Sequence, residues 1–139
     1  MTSKQTILPR PTNPLIRVSC FFTRSPTISP EEFNTYWRET HGTLVIASKI
    51  FHEAQIQGYT QVHRDHTLTA EAAKMGSALL EFNWDACSEM YFHTWEDYRR
   101  FAESDEMRDV LGPDGGKILD GERGVRVLVT RVDPISSLL

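Results

Sequence analysis

His41 is the residue of this sequence best placed to do chemistry near neutral pH. It follows Trp37 by one helical turn and precedes Gly42, in Tyr36-Trp37-Arg38-Glu39-Thr40-His41-Gly42. An imidazole titrates near pH 6.5, so it can donate, accept or relay a proton under ordinary conditions. The competing reading is a histidine that caps the helix or bonds a backbone carbonyl. A second histidine, His63, alternates with Tyr59 and Gln61 along residues 55–63, and alternate strand residues share a face. Residues 85–93 repeat the pattern, with Asp85, Cys87, Glu89, Tyr91 and His93 on one side. If both faces line one pocket, they offer donors for a phenolic, carbonyl-rich substrate. Otherwise they face solvent, as on many antiparallel sheets. Asp85 is expected to orient a histidine or to cap the turn before its strand.

These residue types suit two reactions. A β-keto acid that loses CO2 leaves an enolate, which needs a proton donor at carbon and uses its own ketone as electron sink. A β-hydroxy ketone that loses water needs a base for the α-proton and an acid for the leaving hydroxide. Neither requires a cofactor. Arg24 and Arg38 are candidates for holding a substrate carboxylate in a forked pair, with surface ion pairing as the alternative. Tyr36 and Trp37 read mainly as core, with a second role as the wall of a substrate site. His63-x-x-His66 does not read as a metal site, because strand positions three apart point to opposite faces and no ligand pattern completes it.

Composition narrows the class. The chain has 139 residues, the size of one domain, with 40% hydrophobic and 24% charged residues. Fifteen basic against nineteen acidic residues give a net charge of −4, which argues against nucleic-acid or anionic-membrane partners. Apolar runs such as Leu44–Ala47 fall far short of the ~20 residues of a membrane span. Residues 1–14 lack the apolar stretch of a secretory signal. Cys20 and Cys87 stand in no zinc-like spacing and read as buried free thiols in a reducing, cytoplasmic setting.

The elements that must position the site follow from pattern. Residues 1–14, with three prolines, read as an extended arm, suited to lie across a partner subunit. Strands are expected at 15–23, 55–63, 85–93 and 124–132. Ser29-Pro30-Glu31-Glu32 signals a helix start with a capping box, and Gly42 is expected to interrupt that helix before a second segment at 43–53. Residues 64–82 exceed a hairpin connection and contain a helical stretch at 69–75. They suit a lid over the pocket, a surface helix or a dimer contact. Thr94 caps a helix to about 102, a further turn spans 106–111, and Gly112-Pro113-Asp114-Gly115-Gly116 reads as a loop. Residues 134–139 form a tail. The order is α+β, a ferredoxin-like βαββαβ with a four-stranded antiparallel sheet covered by helices on one face. Pairing two uncovered faces makes a homodimeric α/β barrel.

Arg24-Ser-Pro-Thr-Ile-Ser-Pro-Glu-Glu-Phe33, followed by Tyr36-Trp37-Arg-Glu-Thr-His41-Gly42, resembles the opening motif of the EthD-domain family. Gly58–His63, Trp84-Asp85, Phe101–Glu106 and the loop with Asp114 and Asp120 resemble its later elements, so the likeness spans about residues 15–133. The resemblance implies a dimeric α/β barrel without metal or organic cofactor and makes His41 the motif histidine. It is greatest to small fungal polyketide-tailoring enzymes. This implies decarboxylation of an aromatic polyketide carboxylic acid, with His41 as proton donor or relay. On that reading His63 and Asp85 assist, and Tyr36, Trp37, Tyr59, Gln61, Tyr91, His93 and Arg24 contact the substrate. The alternatives are a dehydratase or cyclase, a cofactor-free oxygenase and a non-catalytic ligand-binding barrel.

Overall fold

The structure, a computed structural model, describes residues 6–136. Four strands form one sheet: β1 (Ile16–Phe22), β2 (Gly58–His63), β3 (Ala86–Phe92) and β4 (Arg126–Arg131), in the antiparallel order β2-β3-β1-β4. This is the ferredoxin-like arrangement expected from the element order. Register decides which residues share a face, because directly opposed residues point the same way. Val18 opposes Met90, Cys20 opposes Ser88, and Tyr59 opposes Met90. These side chains therefore lie on the face that the helices cover, with Ile16, Phe22 and Phe92. Arg17 opposes Tyr91, Ser19 opposes Glu89, and Gly58 opposes Tyr91 on the other face. There the Ser19 hydroxyl donates to Glu89 at 3.1 Å and Arg17 lies 3.5 Å from the same carboxylate.

The first helical run begins where sequence places it. Ser29 caps α1 (Pro30–Thr35), and Glu32 returns a bond to the cap in a capping box. The run then passes through a π-helical stretch, Tyr36–His41, into α2 (Gly42–Ala47). Gly42 does not interrupt it, since its backbone is helical at φ −57° and ψ −44°. Its N–H bonds the Trp37 carbonyl, five residues back, so the distortion lies upstream of the glycine. The break falls at Ser48, which turns extended at ψ 147° and caps α3 (Lys49–Glu53) through Phe51 N–H at 3.2 Å. Glu106 adds a tertiary cap, accepting from Ile50 N–H at 2.7 Å and Lys49 N–H at 3.2 Å.

Asp65 caps α4 (His66–Lys74) and Thr94 caps α5 (Trp95–Ala102). A second π-helical stretch, Met107–Leu111, leads into α6 (Gly112–Gly116). The Gly-Pro-Asp-Gly-Gly run is thus helical where sequence suggests a loop. Two causes override its poor propensity. Gly112 N–H continues the preceding ladder to the Met107 carbonyl, and Pro113 sits in the first turn, where a missing N–H costs nothing. A Cβ at position 112 would lie 2.7 Å from the Met107 carbonyl oxygen, so glycine is demanded there.

The helices bury two contiguous clusters. Ile16, Val18, Val45, Ile50, Phe92, Phe101 and Leu111 form one. Phe22, Phe33, Trp37, Ala86 and Ile118 form the other, with the Phe22 and Trp37 rings edge-to-face at 5.3 Å. Part of the arm, residues 1–5, and of the tail, residues 137–139, falls outside the described residues. Leu8 N–H bonds Ile135 O at 2.8 Å, so the described arm runs beside the chain's own tail. No helix among the described residues is long and apolar enough to cross a membrane.

Candidate active site

A cavity of about 310 Å3 lies between the helix-covered face of the sheet and the helices. Its walls are mainly apolar, from Val18, Phe22, Trp37, Met90, Phe101 and Leu111. Polar groups reach it at His41, Tyr59, Ser88 and Tyr98, and no lysine or arginine among the described residues lines it.

His41 ends the first π-helical stretch and is held from the second helical run. Its Nδ1 lies 2.8 Å from Asp114 Oδ2, in α6. Tyr36, on the same stretch as His41, donates its hydroxyl to Asp114 Oδ1 at 2.5 Å. Lys117 Nζ stands 3.6 Å from that oxygen. The helical form of Gly112–Gly116 is what brings Asp114 to this point, buried. Burial works against its charge, but the Tyr36 and His41 hydrogen bonds and the cations nearby outweigh it and hold its carboxyl below the usual carboxylate range. The Tyr36 phenol is correspondingly raised by its bond to Asp114, so it stays a donor.

An ionised Asp114 that accepts at Nδ1 fixes the neutral imidazole as the Nδ1–H tautomer. Nε2 then carries the lone pair. It has no hydrogen-bond partner among the described residues and is not a buried orphan, so it is open to the cavity that the ring lines. Gly115 leaves room for the ring, since a Cβ there would touch Cε1 at 3.4 Å. The arrangement can take a proton at Nε2 and return it, with Asp114 balancing the imidazolium.

The other sequence candidates divide sharply. Trp37 forms the cavity wall and Tyr59 reaches into it. Gln61 donates to the Trp37 carbonyl at 2.7 Å and to the Tyr59 hydroxyl at 3.0 Å. His63 lies 3.2 Å from Asn34 Oδ1 and packs on Trp37 at 4.7 Å between rings. Burial and Arg38 lower its pKa, but it lines a separate surface groove. Asp85 does bond a histidine, although the histidine is His66 at 2.9 Å, and its other oxygen accepts from Arg24 N–H. Neither His66 nor Asp85 lines the cavity. The Arg24 guanidinium donates to the Ser25 and Ile28 carbonyls and so shapes its own loop. Tyr91 lies on the opposite face of the sheet, against Gly58, and His93 is exposed beyond β3. The two alternating faces thus do not meet in one pocket, because Tyr59 opposes Met90 and not Tyr91. None of residues 64–82 lines the cavity.

Sequence reading placed Asp114 beside Asp120 in a loop and did not pair it with His41. Asp120 instead accepts from Glu122 N–H at 3.0 Å in a turn. The only local signal for Asp114 is a single acid among glycines. Among the described residues no three His, Cys, Asp or Glu side chains gather as a metal site.

Sheet order and pocket position define the class of protein: a ferredoxin-like α+β domain with its cavity between the sheet and the helices. The EthD domain family profile matches residues 25–122. The chain belongs to that family. Its fold is similar to that of an EthD-family protein from Bacillus halodurans, with a TM-score of 0.56 at 14% identity, covering 84% of this chain and 96% of that one. It is also similar to an EthD-like protein from Ralstonia eutropha, with a TM-score of 0.53 at 10% identity over 86% and 91% of the two chains. A dimeric ferredoxin-like protein of unknown function from Bacteroides fragilis gives 0.54 at 10% identity over 85% and 96%. A search of the curated proteins gives no match.

Proposed function

We propose that this protein is a cofactor-independent lyase that decarboxylates an aromatic polyketide carboxylic acid, with His41 delivering the proton to carbon. The observation that carries this reading is the Asp114–His41 pair, which leaves Nε2 open on the wall of an apolar cavity. The substrate carboxylate breaks its C–C bond, CO2 leaves, and the electron pair passes into the adjacent carbonyl as an enolate. The imidazolium then gives its Nε2 proton to the α-carbon and is reprotonated from solvent. Among the described residues the lining offers no lysine or arginine to a bound carboxylate. Weak ground-state stabilisation favours loss of its charge as neutral CO2.

The same absence of lysine and arginine from the lining favours one second reading. A neutral β-hydroxy ketone would also suit the cavity, and His41 would then take the α-proton in a dehydration. The open sheet face, with Leu128 49% exposed, supports a homodimer closed as an α/β barrel, as does the dimeric state of the Bacteroides fragilis protein. Two free thiols fit a reducing cytoplasm.

Mass spectrometry of a polyketide carboxylic acid panel tests the reaction with the wild-type protein and His41→Ala. Loss of CO2 that disappears in the variant is expected. Loss of water instead selects dehydration, and gain of oxygen selects an oxygenase. Binding without turnover selects a carrier, and equal activity in both proteins removes His41 from the mechanism. Sizing chromatography at the monomer mass would overturn the dimer.

A further inference from the structure

The cavity has a second polar feature that the His41 pair does not use. Gln61 is fixed at both ends of its amide nitrogen, by the Trp37 carbonyl at 2.7 Å and the Tyr59 hydroxyl at 3.0 Å. The Trp37 carbonyl can only accept, so the amide nitrogen must face it, and the flipped amide would set two oxygens against each other. Tyr59 Oη therefore accepts from Gln61. Its own proton has no acceptor among the described residues, while the phenol lines the cavity. The Trp37 carbonyl is the one that the π-helical stretch also offers to Gly42 N–H. A Cβ on Gly42 would stand 3.3 Å from Gln61 Nε2. The distortion that carries His41 and the glycine after it thus seat the amide that aims Tyr59. Gln61 Oε1 is buried without a partner among the described residues, an unfavourable position for an acceptor. The amide is held there by the two bonds at its nitrogen.

We propose that Tyr59 is a catalytic residue that donates to the substrate's carbonyl oxygen and to the enolate that forms there, with Gln61 as its positioning residue. The substrate class follows. It carries a ketone or phenol oxygen next to the reacting carbon, and its oxygen binds Tyr59 while His41 serves the carbon. This deepens the acid–base reading of His41 and rests on it for the identity of the reacting carbon. Burial raises the Tyr59 pKa, which keeps the phenol protonated and able to donate.

The test measures binding, so it stands apart from any turnover. Neutral 2-naphthols of graded acidity but similar size serve as enol mimics whose oxygen accepts from Tyr59, titrated at one pH below their ionisation. In the wild-type protein affinity should fall as the naphthol becomes more acidic, because its oxygen then accepts a weaker bond from the Tyr59 hydroxyl. Tyr59→Phe removes one oxygen, and should weaken binding of the least acidic naphthol about tenfold and flatten the trend. Gln61→Leu leaves the phenol but frees its proton to turn, and should lower the slope while the most acidic naphthol binds within about twofold of wild type. Tyr59→Phe with an unchanged slope overturns the proposal, as does a wild-type protein with no slope. A slope that survives in His41→Ala but is lost in Tyr59→Phe supports it even if no acid is ever decarboxylated.

Discussion

Replacing Asp114 by asparagine keeps the shape of the side chain and removes its charge. The neighbours decide which way the amide settles. Oδ1 faces the Tyr36 hydroxyl at 2.5 Å and the Lys117 ammonium at 3.6 Å, and both are donors. An asparagine oxygen belongs there, which turns its NH2 towards His41 Nδ1, 2.8 Å from the other oxygen. The imidazole must then accept at Nδ1 and carry its proton on Nε2. The neutral ring can no longer act as a base towards the cavity, and the charged ring loses its counter-ion. General acid–base groups contribute ~10²–10⁴-fold, so kcat/KM should fall within that range. Loss of a charge-assisted bond should also lower stability by ~1.5–3 kcal/mol. The assay is decarboxylation against pH, with the ¹⁵N shifts of His41 reporting the tautomer. A variant with kcat/KM within threefold of wild type, or an imidazole still protonated at Nδ1, would refute the reasoning.

The depressed carboxyl of Asp114 predicts acid lability: its contribution is present above the unfolded value of about 4 and is lost as pH falls through the lower folded value. Urea midpoints followed downward from pH 5 should therefore fall more steeply in the wild-type protein than in Asp114→Asn. Gly112→Ala places a methyl 2.7 Å from the Met107 carbonyl oxygen and should cost ~1–3 kcal/mol, read as a lower melting temperature. Burial pushes the Cys87 thiol up to about 11 and raises Cys20 as well. Both should label far more slowly with a thiol reagent at pH 8 in the folded protein than in urea.

Much of the fold was written locally. The Ser29 capping box, Thr94 and the β-branched runs each act over a few residues, so composition and spacing disclose them. The alternation of residues 55–63 and 85–93 correctly separated each strand into two faces. It did not say which face of one strand meets which face of the other. That depends on register, and the pairing of Tyr59 with Met90 sends Tyr91 to the far side of the sheet. Asp85 was left between orienting a histidine and capping a turn; it bonds His66 and the Arg24 N–H, and no spacing rule names those partners.

The sequence by itself determined the order of elements, the helix start and His41 as the residue to watch, because caps, periodicity and the Trp-x-x-x-His-Gly spacing are short-range properties. Tertiary structure alone decided the site. Asp114 lies 73 residues from His41 in a glycine-rich run whose propensity opposes helix. That run is helical because it continues a π-helical ladder, and there its buried carboxylate accepts from Tyr36 and His41. Propensity is worth at most ~1 kcal/mol per glycine. Two charge-assisted bonds to a buried carboxylate outweigh it, and no local pattern records them.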